Sequence, residues 1–134
     1  MAGAGYSGTP LPKKLEIKDG SRVSTIGAPA DFARTVGELP PGAVLRKGIS
    51  SPRDLTIWFV TSRRALEGDA RRVIPARGTG SLWIAWPKKA SGMKTDLTED
   101  VLREVILPLG LVDRKVCAID TTWAGLLFSW RKNR

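Results

Sequence analysis

The stretch SLWIAWPKKASGMKTDLTEDVLREVIL, residues 81–107, contains a strand, a basic loop and a helix in direct succession. Its first part, LWIAW at residues 82–86, is apolar at every position, which is typical of a strand covered on both faces. Pro87 ends that strand. The helix after the loop carries apolar residues three and four positions apart until Pro108 ends it. A buried strand followed by an amphipathic helix is the repeating unit of an α/β protein.

Two carboxylates mark the predicted start of that helix. Asp96 can cap the helix, and Glu99, three positions on, can return a hydrogen bond to the N–H of the cap residue. Both side chains would then lie at the positive end of the helix dipole. The alternative interpretation is an acid/base pair. We prefer capping because it explains both residue types and their spacing.

Strand and helix patterns alternate along the rest of the chain. Strands are predicted at residues 22–26, 43–45, 55–60, 113–119 and 126–130, and helices at residues 10–15, with Thr9 as the cap, 31–36 and 63–74. This alternation favours right-handed βαβ units around a mainly parallel sheet. The predicted fold is therefore a single three-layer α/β Rossmann-like domain over residues 1–134. Its sheet is expected to be mostly parallel with a C-terminal antiparallel strand pair. Residues 1–8 are expected to be flexible, and residues 131–134 form a basic tail.

The composition fits one basic domain. A chain of 134 residues is long enough for a single core. Lys and Arg number 22 against 13 Asp and Glu, a net charge of +9, so polyanions will be attracted at low salt. This attraction comes from the net charge of the whole protein and does not define a binding site. Nucleic-acid binding through phosphate neutralisation is therefore kept as an alternative function, without sequence specificity.

Catalytic and metal-binding groups are scarce in the sequence. The absence of His removes the commonest metal ligand and general base, so no metal site and no catalytic residue are predicted. Cys117 lies in an apolar run and is expected to be a buried, inert thiol. A single Cys suits a reducing compartment, and we find neither a signal peptide nor an apolar run of membrane-spanning length. We expect a cytoplasmic protein that does not bind membranes.

Several longer segments resemble a family of short bacterial proteins, domain-of-unknown-function family 3052. These segments are GYSGTPL at residues 5–11, KKL at 13–15, WPKKASG at 86–92, TDLTED at 95–100, GLVD at 110–113 and KVCAID at 115–120. The resemblance covers most of the chain and implies no activity. At the level of fold, the order of elements also resembles class I methyltransferase-like Rossmann proteins, in which the final strand returns antiparallel.

The chain departs from the methyltransferase pattern where the cofactor would bind. The loop after the first strand, GAPAD at residues 27–31, has one glycine and a rigid proline in place of several glycines. The second strand ends in Arg46 and Lys47, where those enzymes carry an acidic residue for the ribose hydroxyls. A degenerate or unusual S-adenosylmethionine-dependent enzyme is therefore an alternative function. The cofactor, if any, stays unknown.

The predicted site lies at the carboxyl edge of the sheet, where ligands of open α/β sheets usually bind. Our candidate residues for binding an anion are Gly27, Ser62, Arg63, Lys88, Lys89, Ser91, Gly92, Asp120 and Trp123. Lys88, Lys89 and Arg63 would supply charge, and Trp123 a stacking surface. Helix N-terminal N–H groups near Ser62 and Thr95 would supply donors. The alternatives are that the cations are solvated loop charges and that Asp120 only forms a turn.

The sequence therefore predicts a non-catalytic or regulatory α/β module. Its expected partner is an anionic small molecule or a protein, bound at the carboxyl edge of the sheet. The sequence does not predict an oligomeric state.

Overall fold

The computed structural model describes residues 8–49 and 52–132, so most of the predicted flexible N-terminus and half of the basic tail lie outside the described residues. Within this part, the chain forms four α-helices and six strands: α1 (Leu11–Lys14), β1 (Arg22–Ile26), α2 (Phe32–Val36), β2 (Val44–Lys47), β3 (Leu55–Phe59), α3 (Arg63–Val73), β4 (Ser81–Pro87), α4 (Glu99–Ile106), β5 (Leu111–Ala118) and β6 (Trp123–Trp130). None of the described helices is both long and apolar enough to cross a membrane.

The six strands form one sheet in the order β2-β1-β3-β4-β6-β5. Strands β1 to β4 pair in parallel. Strand β6 runs antiparallel to both of its neighbours, so β5 again points the same way as β4. The predicted Rossmann-like sheet, mostly parallel with an antiparallel pair after the last helix, is therefore confirmed.

Each face of the sheet is covered by helices. On one face α3 and α4 pack on Trp58 and Trp86, and on the other α1 and α2 pack on Trp83. The indole Nε1 of Trp83 donates a hydrogen bond of 2.9 Å to the carbonyl oxygen of Leu15, which ties the end of α1 to the centre of the sheet. These three tryptophans are buried in the core.

Several predicted element boundaries are wrong: β2 extends to Lys47, two residues beyond its predicted end, and β5 begins at Leu111, two residues before its predicted start. Pro10, not Thr9, occupies the cap position of α1, and no side chain caps that helix. Helix α4 is capped by Thr98, whose Oγ1 accepts a hydrogen bond of 3.2 Å from the N–H of Val101. Asp96 lies too far upstream for this role. Strand β6 begins at Trp123, three residues before the predicted start, because the turn ahead of it is shorter than expected.

Candidate functional site

The carboxyl ends of β1 to β4 lie at one edge of the sheet, because these strands are parallel. The loops that follow them gather there, as the sequence predicts, together with the β5–β6 turn. The strand order reverses between β1 and β3, since the chain passes from β1 to β2 on one side and places β3 on the other. The crevice at this switch point is the usual ligand site of the fold.

The β1 side of this crevice is closed by a tight backbone contact. Gly27 has a positive φ of 70°, and a Cβ at this position would lie 2.8 Å from the carbonyl oxygen of Phe59. Only glycine fits both the conformation and the contact. The loop after β1 therefore packs directly against the end of β3.

Three aromatic rings fill the α1/α2 side of the same edge. The rings of Phe32 and Phe59 meet edge to face with centroids 4.9 Å apart, and those of Phe59 and Trp123 do so at 5.0 Å. Trp123 is only 8% exposed. Its ring is thus part of the core and does not offer the exposed stacking surface that the sequence suggested.

The N-terminus of α3 is occupied by the chain's own polar groups. The Oγ of Ser62 accepts a hydrogen bond of 3.1 Å from the N–H of Ala65, and the carboxylate of Asp96 accepts one of 2.8 Å from the N–H of Arg63. Thr95 Oγ1 also donates to the carbonyl oxygen of Thr61 at 2.6 Å. The loop after β4 is therefore bound over the end of β3, and the N–H groups of Arg63 and Ala65 at the start of α3 are used internally.

The side chain of Arg63 is also engaged. Its guanidinium pairs with Glu67 at 2.8 Å and with Glu104 at 2.6 Å. The hydrogen bond to Glu67, and to a smaller extent the one to Glu104, raises the pKa of Arg63 above its usual value. This arginine links α3 to α4 and does not present an unpaired charge to a ligand.

Lys88 and Lys89 retain unpaired charges. The backbone of Lys88 donates to the carbonyl oxygen of Thr122 at 2.7 Å, and its own carbonyl accepts bonds from the N–H and the hydroxyl of Ser91. Gly92, in the left-handed conformation with φ 80°, ends this turn. Within residues 8–49 and 52–132, neither lysine side chain forms an ion pair.

Asp120 forms a turn, the simpler of its two predicted roles. Its Oδ1 accepts hydrogen bonds of 2.8 Å from the N–H groups of Thr122 and Trp123. This pairing orders the β5–β6 turn and begins β6. The second carboxylate oxygen, Oδ2, accepts no recorded hydrogen bond from the described residues.

An open groove, which the sequence did not predict, borders this turn on the α1/α2 face. It has a volume of about 1400 Å³ and lies between residues 8–19, 31–40 and 119–121. Its walls carry four cations and four carboxylates: Lys13, Lys14, Lys18 and Arg34, and Asp19, Asp31, Glu38 and Asp120. Sequence reasoning missed the groove because no single motif spans its three walls. Its charge is balanced, so it does not select an anion.

The described residues offer no obvious nucleophile or metal site. Burial raises the pKa of the Cys117 thiol, although the nearby charges of Lys14, Lys115 and Lys88 act in the opposite direction. The thiol is therefore protonated at neutral pH. In the described ranges, no group of three or more Cys, Asp or Glu side chains could hold a metal ion.

Comparison with known proteins relates the chain to others by fold alone. No protein-family model matches the sequence, and no curated protein matches it, so the resemblance to family 3052 stays a prediction. Solved structures do match. One is a protein of the NADB-Rossmann superfamily from Streptococcus agalactiae, with a TM-score of 0.56 and 9% identity over 96% of this chain and 71% of that one.

Methyltransferases are among the matching structures. A SAM-dependent methyltransferase from Aquifex aeolicus has a TM-score of 0.56 and 14% identity over 88% of this chain and 86% of that one. A release-factor-specific protein-(glutamine-N5) methyltransferase from Alicyclobacillus acidocaldarius has a TM-score of 0.52 and 14% identity over 90% of each chain. The chain therefore has a methyltransferase-like Rossmann fold, and identities this low carry no information about activity.

Proposed function

We propose that this chain is a non-catalytic α/β binding module that takes an anionic small molecule at the carboxyl end of β4, through Lys88 and Lys89. One observation carries the proposal. The carboxylate of Asp96 already occupies the N-terminus of α3, beside the crevice where ligands of this fold usually bind. A helix N-terminal donor beside the crevice is therefore already taken, and the unpaired cations Lys88 and Lys89 follow β4, the strand next to β3.

The non-catalytic part of the proposal is supported by the filled crevice. Gly27 brings the first loop onto the Phe59 carbonyl, and the ring of Phe32 packs on that of Phe59. A cofactor at this place would have to displace core side chains. Arg46 and Lys47 stand where a ribose-binding carboxylate would be expected, which also argues against a nucleoside cofactor.

The anionic ligand is supported by the charges that remain. Arg63 is paired twice, whereas Lys88 and Lys89 have no counter-ion among the described residues. Lysine ammonium groups bind phosphate as point charges and do not require a preformed fork. A cytoplasmic location belongs to the same proposal, because a phosphorylated metabolite would be met there.

Isothermal titration calorimetry with inorganic pyrophosphate and ATP tests this function. The parent protein should bind at least one of them saturably, and the double variant K88A/K89A should weaken binding at least tenfold. The control is Lys94→Ala, which removes an exposed lysine from the same loop and should leave binding unchanged. Equal binding by K88A/K89A would overturn the proposal by placing the anion elsewhere. No binding by the parent would also overturn it and would favour a protein partner.

A methyltransferase-like enzyme is the second candidate, favoured by the fold and by the glycine that brings the first loop close to β3. Saturable binding of S-adenosylmethionine by the parent protein would support it. Such binding should then be weakened by Gly27→Ala, and not by K88A/K89A. We expect no saturable binding, because Asp96 and the three aromatic rings occupy the crevice.

Nucleic-acid binding is the third candidate, and it depends on the net charge of +9. Binding to a DNA duplex should fall steeply with salt if it comes from phosphate neutralisation alone. We expect it to be lost near physiological ionic strength. Affinity that persists above that salt concentration would contradict the small-molecule proposal.

A further inference from the structure

A second pocket lies at the opposite, amino edge of the sheet. It has a volume of about 430 Å³ and is bordered by the starts of β1 and β3 and by residues 76–80. This size falls within the usual range for small-molecule sites. Ile49, Pro52 and Ala76 give it apolar walls, while Arg22, Arg53 and Asp54 contribute charge.

Arg53 is the unusual member of this pocket. Its Nη2 donates a hydrogen bond of 3.1 Å to the carbonyl oxygen of Val73, at the end of α3. Its Nη1 is buried and has no hydrogen-bond partner in the described structure. Burial lowers the pKa of this guanidinium, and no carboxylate opposes the effect. A cation that is partly removed from water without a counter-ion is costly, so its presence calls for an explanation.

The one carboxylate that lines the pocket is already used. Asp54 accepts hydrogen bonds from both Nε and Nη2 of Arg22, at 2.9 and 3.0 Å, and a third from the Arg22 backbone N–H at 2.8 Å. These hydrogen bonds lower the pKa of Asp54 to about 2. The Arg22–Asp54 pair is thus neutral and satisfied. Because Arg22 and Asp54 neutralise each other, Arg53 gives the pocket a net positive charge.

The far wall of the pocket is backbone. Gly80 has a φ of 105°, and a Cβ there would lie 2.2 Å from the carbonyl oxygen of Asp54. Thr79 Oγ1 and N–H both donate to the carbonyl oxygen of Ala76, which closes a tight turn. This wall is therefore fixed by glycine geometry and turn hydrogen bonds.

From these observations we propose that the amino-edge pocket binds a small organic oxyanion, a carboxylate or a phosphate monoester, whose charged group pairs with the guanidinium of Arg53. The planar fork of Arg matches both groups. The apolar body of the ligand would lie against Ile49, Pro52 and Ala76. This site is independent of Lys88 and Lys89, which lie at the other edge of the sheet.

A purely structural role for Arg53 predicts different behaviour. If the side chain serves only to cap the carbonyl of Val73, its removal should lower stability, and no anion should respond to it. Binding and stability must therefore be measured on the same variants. The conservative variant Arg53→Lys separates the two roles further, because it keeps the charge and loses the fork.

The test is ¹H–¹⁵N NMR titration of the full chain with benzoate and with phenyl phosphate, at fixed ionic strength. We expect saturable shifts confined to the residues that line the pocket, Arg22, Ile49, Arg53, Asp54 and residues 76–80. The probe that saturates at the lower concentration identifies the class of oxyanion. Arg53→Gln should weaken binding at least tenfold, Arg53→Lys should weaken it less, and Arg64→Gln, at the other end of α3, should leave it unchanged.

Two results would overturn the proposal. One is the absence of saturable shifts with either probe. The other is equal binding by Arg53→Gln and the parent protein, with chemical shifts that show both to be folded. Should Arg53→Gln fail to fold, Arg53→Lys decides: binding indistinguishable from the parent would contradict a requirement for the guanidinium fork.

Discussion

The carboxylate of Asp96 lies 2.8 Å from the backbone nitrogen of Arg63, so the loop after one strand caps the helix that follows its neighbour. Helix α3 thus begins with a cap from its own Ser62 and a second from a residue 33 positions downstream. The contact joins two successive βα units at the edge where this fold usually opens. It provides both local stability and a closed crevice.

We expect Asp96→Ala to lower the free energy of unfolding by about 1 kcal/mol, because it leaves an N-terminal N–H group of α3 without its acceptor. Urea denaturation followed by tryptophan fluorescence measures the change. Asp100→Ala is the matched control, since that side chain is 96% exposed and its ion pair among the described residues is a long one, of 3.4 Å, to Arg103. Equal losses for the two variants would contradict the capping role.

Gly27→Ala is expected to destabilise the protein by about 2 kcal/mol or more, from a positive φ together with a backbone clash. Gly48→Ala is the control at the end of the neighbouring strand. Its φ of 84° is similar, but a Cβ there would meet nothing within 4 Å. We expect a loss of about 1 kcal/mol for this control. Thermal unfolding measures the loss of stability in both variants. Equal losses would contradict the close contact between Gly27 and the carbonyl oxygen of Phe59.

The aromatic rings at the carboxyl edge should be energetically coupled. A double-mutant cycle of Phe32→Leu and Phe59→Leu is expected to give an interaction energy of about 0.5–1.5 kcal/mol, from their edge-to-face contact. The comparison cycle pairs Phe59→Leu with Phe128→Leu, which lies in the core of the opposite face. Its interaction energy should be close to zero. A comparable value in both cycles would show that the coupling is not due to ring contact.

The Arg22–Asp54 pair makes stability depend on acid pH. Hydrogen bonds from the Arg22 side chain and backbone lower the pKa of Asp54 from 3.8 to about 2. Because the folded pKa lies below the unfolded one, the stabilisation is present above about pH 4 and is lost as the pH falls towards 2. Both side chains are about 40% exposed, so solvent screening limits the effect to about 1 kcal/mol.

Asp54→Asn is therefore expected to be less stable than the parent at pH 6 and equally stable at pH 2. Chemical denaturation across this range measures the difference. Asp69→Asn removes a weaker, exposed pair with Arg72 and should show little dependence on pH. A difference that stays constant down to pH 2 would exclude ionisation of Asp54 as its source.

The sheet could be predicted from the sequence because its central strands are continuous apolar runs. LTIWF in β3 and LWIAW in β4 are typical of strands buried on both faces, and the helix pattern between them favours a parallel crossover. The order of elements then led to the methyltransferase-like fold. These features depend on local pattern and on packing rules that hold for the whole class.

The candidate site was less predictable because its hydrogen bonds join distant residues. A capping rule applied along the sequence assigned Asp96 to the helix nearest to it, whereas it caps α3 across the loop. Arg63 looked like an available cation until the fold brought Glu104 beside it, 41 positions later. Arg53 lay in a polar connector with no motif. That its buried Nη1 has no hydrogen-bond partner among the described residues can be seen only in the folded structure.

The position of β6 between β4 and β5 has a consequence for synthesis on the ribosome. β5 emerges first, but it has no neighbour in the sheet until β6 follows and inserts between the two parallel strands. Until then β4, in which six of seven residues are buried, keeps one row of backbone groups unpaired. Chains that end between Ala118 and Trp123, and so contain β5 but lack β6, should therefore be the form most in need of a chaperone.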